Sequence, residues 1–333
     1  MSVRENLVKH LSSILRSSNA TIMALLSDEN GLSIAKTGRK TDLQLDTNAI
    51  TSVSSAAFSS SEENWNDLGI REQIIAFSFF EKVCLITIRI DKTLLTILHD
   101  YNQEWPLKAD NIGSAMYYLR KEIDTFFGSG NITDLEVENF SNKVRSAIYL
   151  CGMGTEIPIT SYVPANSTQQ ELIQNISKIL DSVQNPVFLR YALVNSGGLT
   201  IDARDVNPGN LPISVDAFSA NANVGFQKMI EEAESMNIGG LISYTCVSGM
   251  DPENFYSIMC CPSGKLVFTD PNTNSEIIQP ISFISLYPLT YGAIPVLCEG
   301  RNIVYSILNI IGTDNLAEKF INSVKSIVQT KFQ

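Results

Sequence analysis

At 333 residues the chain is long enough for about two domains, and its 44% hydrophobic and 18% charged composition gives it enough apolar surface to exclude wholesale disorder. A formal charge of −11 repels phosphate backbones and anionic headgroups, which counts against nucleic acid and membrane surfaces as partners. A basic partner surface is easier to accommodate.

The first elements follow from periodicity. Leu7, Leu11, Ile14 and Leu15 recur at helical spacing, which predicts an amphipathic helix over about 3–17. Thr21 to Ser27 reads as a strand, Asp28-Glu29-Asn30-Gly31 as a turn, and Leu32 to Ala35 as the returning strand. Asp46 is suited to cap a helix from Thr47 to about Asp67, and Gly69 ends it. Strands are then expected at 72–79, 82–90 and 93–99, with Glu81-Lys82 and Asp91-Lys92 as tight turns. A helix from Asp110 to about Phe127 closes this first unit.

Residues 128–134 read as a small, polar loop, followed by a helix over 135–150 and an irregular stretch to Ser167. The pattern then repeats. His10 to Leu15 matches Asn175 to Leu180, and Asp28 to Ile34 matches Asn195 to Ile201. A helix at about 214–236 stands where 47–67 stood, and Leu241–Val247, Phe255–Cys261 and Lys265–Thr269 repeat the strand block. The apolar runs over 271–312, including Ile294–Cys298 and Asn302–Ile311, read as extra strands: either an inserted hairpin, or strands divided differently in this unit. Asn315 to about Gln329 supplies the last helix. The expected division is a first domain over 1–127, a linker with one helix over 128–167, and a second, divergent domain over 168–333.

The chain offers little chemistry. Its two histidines, His10 and His99, have no nearby nucleophile or acidic partner in a catalytic arrangement and read as ordinary surface residues. Cys84, Cys151, Cys246, Cys260, Cys261 and Cys298 lie mostly in apolar runs and lack metal-ligand spacing, as expected of buried thiols in a reducing compartment. Gly264-Lys265 lacks the glycine of a phosphate-binding loop, since Met259 stands there. Gly152-Met153-Gly154 is a turn, and Ser27-Asp28-Glu29 lacks the ligand spacing of a calcium loop. Asp202, Arg204 and Asp205 suit a surface ion pair. The opening MSVRENLVKH lacks the apolar core of a signal peptide, and no run reaches ~18 apolar residues. A non-enzymatic protein of the cytoplasm, with no cofactor, metal or transmembrane segment, is therefore expected.

The hairpin LLSDENGLSIA at 25–35, the contiguous strand block 72–99 and Asn111-Ile112-Gly113 at the start of the closing helix resemble the roadblock family. The resemblance implies an α+β fold: two roadblock/longin-like α-β-β-α-β-β-β-α domains, each a five-stranded antiparallel sheet with helices on its faces. It also implies domains that pair edge to edge through the third strand while their central helices pack together. Roadblock proteins include MglB-like GTPase-activating proteins, Ragulator subunits and the dynein light chain. A small Ras-like GTPase is accordingly the implied partner, held by a homo-oligomer or by an intramolecular pseudo-dimer. A structural adaptor of a motor or vesicle-tether complex is the alternative. The implied junction uses Ile50, Val53, Ala57 and Ser60 of the first central helix with Ile74 and Ala76 of its strand. Met229 and Ile230 with Ile242 and Tyr244 supply the second half.

Overall fold

The computed structural model describes residues 2–70, 72–128, 131–183, 187–206, 211–270 and 273–331. Ser129 and Gly130 of the expected loop, and residues 271 and 272 of the expected extra strands, lie outside the described residues.

In chain order the first half comprises α1 (Val3–Ser17), β1 (Thr21–Asp28), β2 (Ser33–Gly38), α2 (Thr47–Asp67), β3 (Gln73–Phe80), β4 (Cys84–Ile90), β5 (Thr93–His99) and α3 (Ala109–Phe126). After α4 (Asp134–Cys151) the second half comprises α5 (Leu172–Asp181), β6 (Arg190–Asn195), β7 (Thr200–Asp205), α6 (Val215–Glu232), β8 (Leu241–Ser248), β9 (Tyr256–Thr269), β10 (Glu276–Pro288), α7 (Ile294–Ile311) and α8 (Asn315–Lys331). The α-β-β-α-β-β-β-α order thus occurs twice.

Local chemistry sets the boundaries. Asp46 caps α2 by accepting from the amides of Asn48 and Ala49, both at 3.0 Å. Ser2 with Glu5, and Thr133 with Glu136, close capping boxes on α1 and α4. The two hairpin turns that match in sequence also match in backbone: Gly31 has φ +83° and Gly198 φ +80°. Both need the left-handed region that glycine enters without a Cβ clash.

Strands β1 to β10 join one antiparallel sheet in the order β2-β1-β5-β4-β3-β8-β9-β10-β6-β7. Read outward from the centre, each half has the same order: third strand, fourth, fifth, first, second. Two apolar layers cover the sheet. Leu25, Ile50, Phe58, Phe80 and Leu98 pack with Phe218 and Phe226 on the side of α2 and α6. On the other side Leu7, Met116, Val144, Ile176, Ile303 and Phe320 bring in α1, α3, α4, α5, α7 and α8.

Several expectations are corrected. The runs at Ile294–Cys298 and Asn302–Ile311 are one helix, α7, whose rich Ile and Val content reads as strand. The helix is 72% buried, and its polar stripe of Glu299, Asn302 and Ser306 faces protein rather than water. It is long and apolar enough to cross a bilayer by composition, but that same burial places it in the core. Phe255–Cys261 and Lys265–Thr269 are one strand, β9, and the fifth strand is β10. Pro262 and Gly264 read as a break but form a bulge: Ile281 pairs with Gly264 and Ser282 with Pro262, with Gly264 at φ +116°. His99 is fully buried rather than superficial, its Nε2 2.6 Å from the Glu104 carbonyl oxygen.

The irregular stretch after α4 is strapped along α7 by that helix's polar residues. Asn302 Nδ2 donates to the Pro158 carbonyl at 3.0 Å, and its Oδ1 accepts from the Thr160 amide at 3.3 Å. Ser306 Oγ accepts from the Tyr162 amide, and the Tyr162 hydroxyl donates to Glu299 Oε1, both at 2.6 Å. Arg301, fully buried, donates to the Ile157 carbonyl at 2.5 Å. Irregular backbone has no ladder of its own, so these side chains stand in for one.

Candidate interaction surface

The two halves meet where β3 pairs antiparallel with β8. Ala76 lies opposite Cys246, Phe77 opposite Thr245, Ser78 opposite Tyr244 and Phe79 opposite Ser243. Every residue of both strands is buried. Above this seam α2 packs against α6. Gly225 makes the approach close, because a Cβ there would stand 3.1 Å from Ser60 Oγ.

The sequence-derived residues fall as follows. Ile50, Val53, Ala57 and Met229 are buried in the layer under α2 and α6, with Ile230 half-buried against it. Ser60, half-buried, faces Gly225. Ala76 and Tyr244 also point into this layer, whereas Ile74 and Ile242 belong to the opposite one. Strict alternation would put Ile74 on the face of Ala76. The register shifts between Gln73 and Ile75, and again between Phe79 and Phe80 opposite Leu241, re-aim both isoleucines.

Residues the sequence did not single out close the seam. The Tyr244 hydroxyl lies 2.7 Å from Ser61 Oγ, and Trp65 Nε1 donates to Gln73 Oε1 at 3.1 Å. Asn221 Nδ2 donates to Asp67 Oδ2 at 3.0 Å between the helices. At one end Glu81 accepts from Lys319 Nζ at 2.7 Å and from the Gly240 amide at 3.3 Å. Those bonds, Lys319's first, hold the Glu81 carboxyl below its ordinary value. The void left among Ala57, Ser61, Gly225, Phe226 and Tyr244 is about 10 Å³, at most one water. The small residues Val53, Ala57 and Ser60 on α2 were the legible signal of close approach, and Gly225 on α6 is their counterpart.

Beside the seam lies a cleft of about 770 Å³ lined by Ile74, Glu62, Arg89, Arg120, Asp124 and Lys143 among others. Arg89 pairs with Glu62 at 2.7 Å and sits 5.1 Å over the Phe58 ring; Arg120 pairs with Asp91 at 3.0 Å. Burial raises the Glu62 carboxyl in spite of Arg89. These two pairs give Arg89 and Arg120 a structural role in the cleft wall.

The remaining chemical candidates are engaged structurally. All six cysteines are free and buried, and burial pushes Cys246 up to about 12 and Cys84, Cys260 and Cys261 well above the ordinary thiol value. Arg204 pairs with Asp202 and Asp181, each at 2.7 Å, while Asp205 pairs with Arg190 at 2.9 Å. Asp28 Oδ1 accepts from the amides of Asn30 and Leu32, which ties up the acidic turn. Among the described residues no group of three or more His, Cys, Asp and Glu could hold a metal ion.

No family model and no curated protein matches the sequence. Solved structures similar to parts of the chain are MglB and roadblock proteins. The gliding protein MglB of Thermus thermophilus is 16% identical, covers 38% of this chain and 93% of its own, with a TM-score of 0.35. MglB of Myxococcus xanthus is 18% identical, covers 39% and 92%, and scores 0.33. A Roadblock/LC7 domain from Streptomyces avermitilis is 17% identical, covers 36% and 96%, and scores 0.29. At such identity and score these say nothing of this chain's activity.

Proposed function

We propose that the protein is a non-catalytic platform for a small Ras-like GTPase, built as a pseudo-dimer of two roadblock-like domains over 1–127 and 168–333 joined by the linker 128–167. One observation carries this reading: the strand order repeats in the two halves, and they meet through the third strand of each. An edge strand is where a sheet accepts another chain, and here each half occupies the other's edge. Both halves being on one chain makes the pairing independent of concentration. Assignment to a binding role rather than catalysis is supported by the buried, protonated cysteines and by His99 being spent on the Glu104 carbonyl. Six free thiols also favour the cytoplasm, where thiols stay reduced.

The test is titration of the purified chain against small GTPases of the same organism, each loaded with GDP and with a non-hydrolysable GTP analogue, by calorimetry. A nucleotide-dependent affinity for one of them is expected. Absence of binding to all in both states overturns the reading, and the adaptor role then takes its place.

A further inference from the structure

We infer that the groove between α1 and α3 is a docking site for a short acidic segment of a partner protein. This goes beyond the proposed GTPase role and does not depend on it. The groove has a volume of about 690 Å³ and is lined from α1 by Lys9, His10, Ser13 and Arg16 and from α3 by Asn111 and Tyr118, among others. No carboxylate lines it, in a chain whose formal charge is −11.

Its two permanent cations are unspent. Arg89, Lys121, Arg204 and Lys319 are each held by a carboxylate. Among the described residues neither Lys9 nor Arg16 is held in an ion pair, and Arg16 donates only Nε, to the Ser12 carbonyl at 3.2 Å. Two carboxylates of α3 have partners outside the lining: Asp110 lies 3.8 Å from Arg145, and Glu122, which acts on His10 through space, accepts from Asn6 at 3.1 Å. Tyr118, 54% exposed, stacks on His10 with centroids 5.4 Å apart and planes 4° from parallel. That flat floor suits the aliphatic stems of an incoming chain.

Geometry selects the ligand class. Lys9 and Arg16 are seven residues apart on one helix, so two turns and roughly 10 Å separate them along one stripe. A single phosphate cannot bridge that span, whereas carboxylates three residues apart on an extended chain do, at about 3.3 Å per residue. A bilayer would bring its anionic surface against the rest of an acidic protein, where two cations are too few to hold it.

The experiment uses the full chain and a fluorescein-labelled serine peptide carrying glutamate at every third position, read by anisotropy. Binding is expected to weaken steeply with added salt and by about tenfold in the double variant Lys9→Glu/Arg16→Glu, two exposed positions. Lys325→Glu, at an exposed lysine on α8 that forms no ion pair among the described residues, should leave it unaltered. If the reversed variant misfolds, Lys9→Gln/Arg16→Gln takes its place with a smaller loss. Equal loss with Lys325→Glu, or no loss with the reversed pair, overturns the site. Co-sedimentation with phosphatidylserine vesicles that the same reversal abolishes, without peptide binding, overturns it in favour of a lipid surface.

Discussion

The Tyr244 hydroxyl and Ser61 Oγ stand 2.7 Å apart across the seam, one on β8 and the other on α2, 183 residues apart in the chain. Both are buried. Ser61→Ala leaves the Tyr244 hydroxyl without this partner and is expected to cost about 1–3 kcal/mol, while Tyr244→Phe costs about 0.5–1.5. A double-mutant cycle on urea denaturation should return a coupling energy above its error. Strict additivity would mean that the contact does not hold the halves together.

Gly225 fixes how closely α2 and α6 approach. Because the void beneath is about 10 Å³, Gly225→Leu must push the helices apart and should destabilise the protein by about 1–3 kcal/mol. Unchanged thermal stability would show slack that the packing lacks.

Glu81 makes the seam sensitive to pH. Its carboxyl is lowered chiefly by the Lys319 hydrogen bond, so the contact contributes stability above the ordinary glutamate value of 4.5 and loses it as pH falls through the lowered value. Denaturation midpoints of the wild type and Glu81→Gln should differ at neutral pH and converge below 4.5. Raising salt at neutral pH should also narrow the gap, because the pair is partly exposed. A gap that widens on acidification would refute the assignment.

Asn302 serves the strap, not the core. Asn302→Leu keeps the volume but leaves the Pro158 carbonyl and Thr160 amide without their partners, at a cost of about 1–3 kcal/mol. Limited proteolysis should then cut within 155–163 faster than in the wild type, read by fragment mass. Equal resistance would mean that the strap is held elsewhere.

The six thiols should react with Ellman's reagent only on denaturation. Rapid native-state reaction of any one would contradict its burial.

Much of the architecture was legible wherever a local signal coincided with a boundary. Asp46 and Gly69 bracket α2 because a side-chain acceptor and a positive φ of +66° are each local requirements. The repeat was visible in the hairpin turns for the same reason, Gly31 and Gly198 being forced by backbone geometry. What failed depended on the third dimension. The Ile and Val content of α7 reads as strand, and the bulge at Pro262 and Gly264 looked like an ending when it bends one continuous strand. At the seam Ala57 and Tyr244 were readable from size and position. The turning of Ile74 and Ile242 was not, since register shifts arise only once two strands are paired.

The outer border at β7 has a consequence for assembly. Asp202, Arg204 and Asp205 stand along it, and Arg204 is already anchored to Asp181 on α5. A further strand arriving there would have to draw water away from formal charges at the border. A sheet joined once at its middle is thereby disfavoured from lengthening at this end, where a further strand would meet fixed charge.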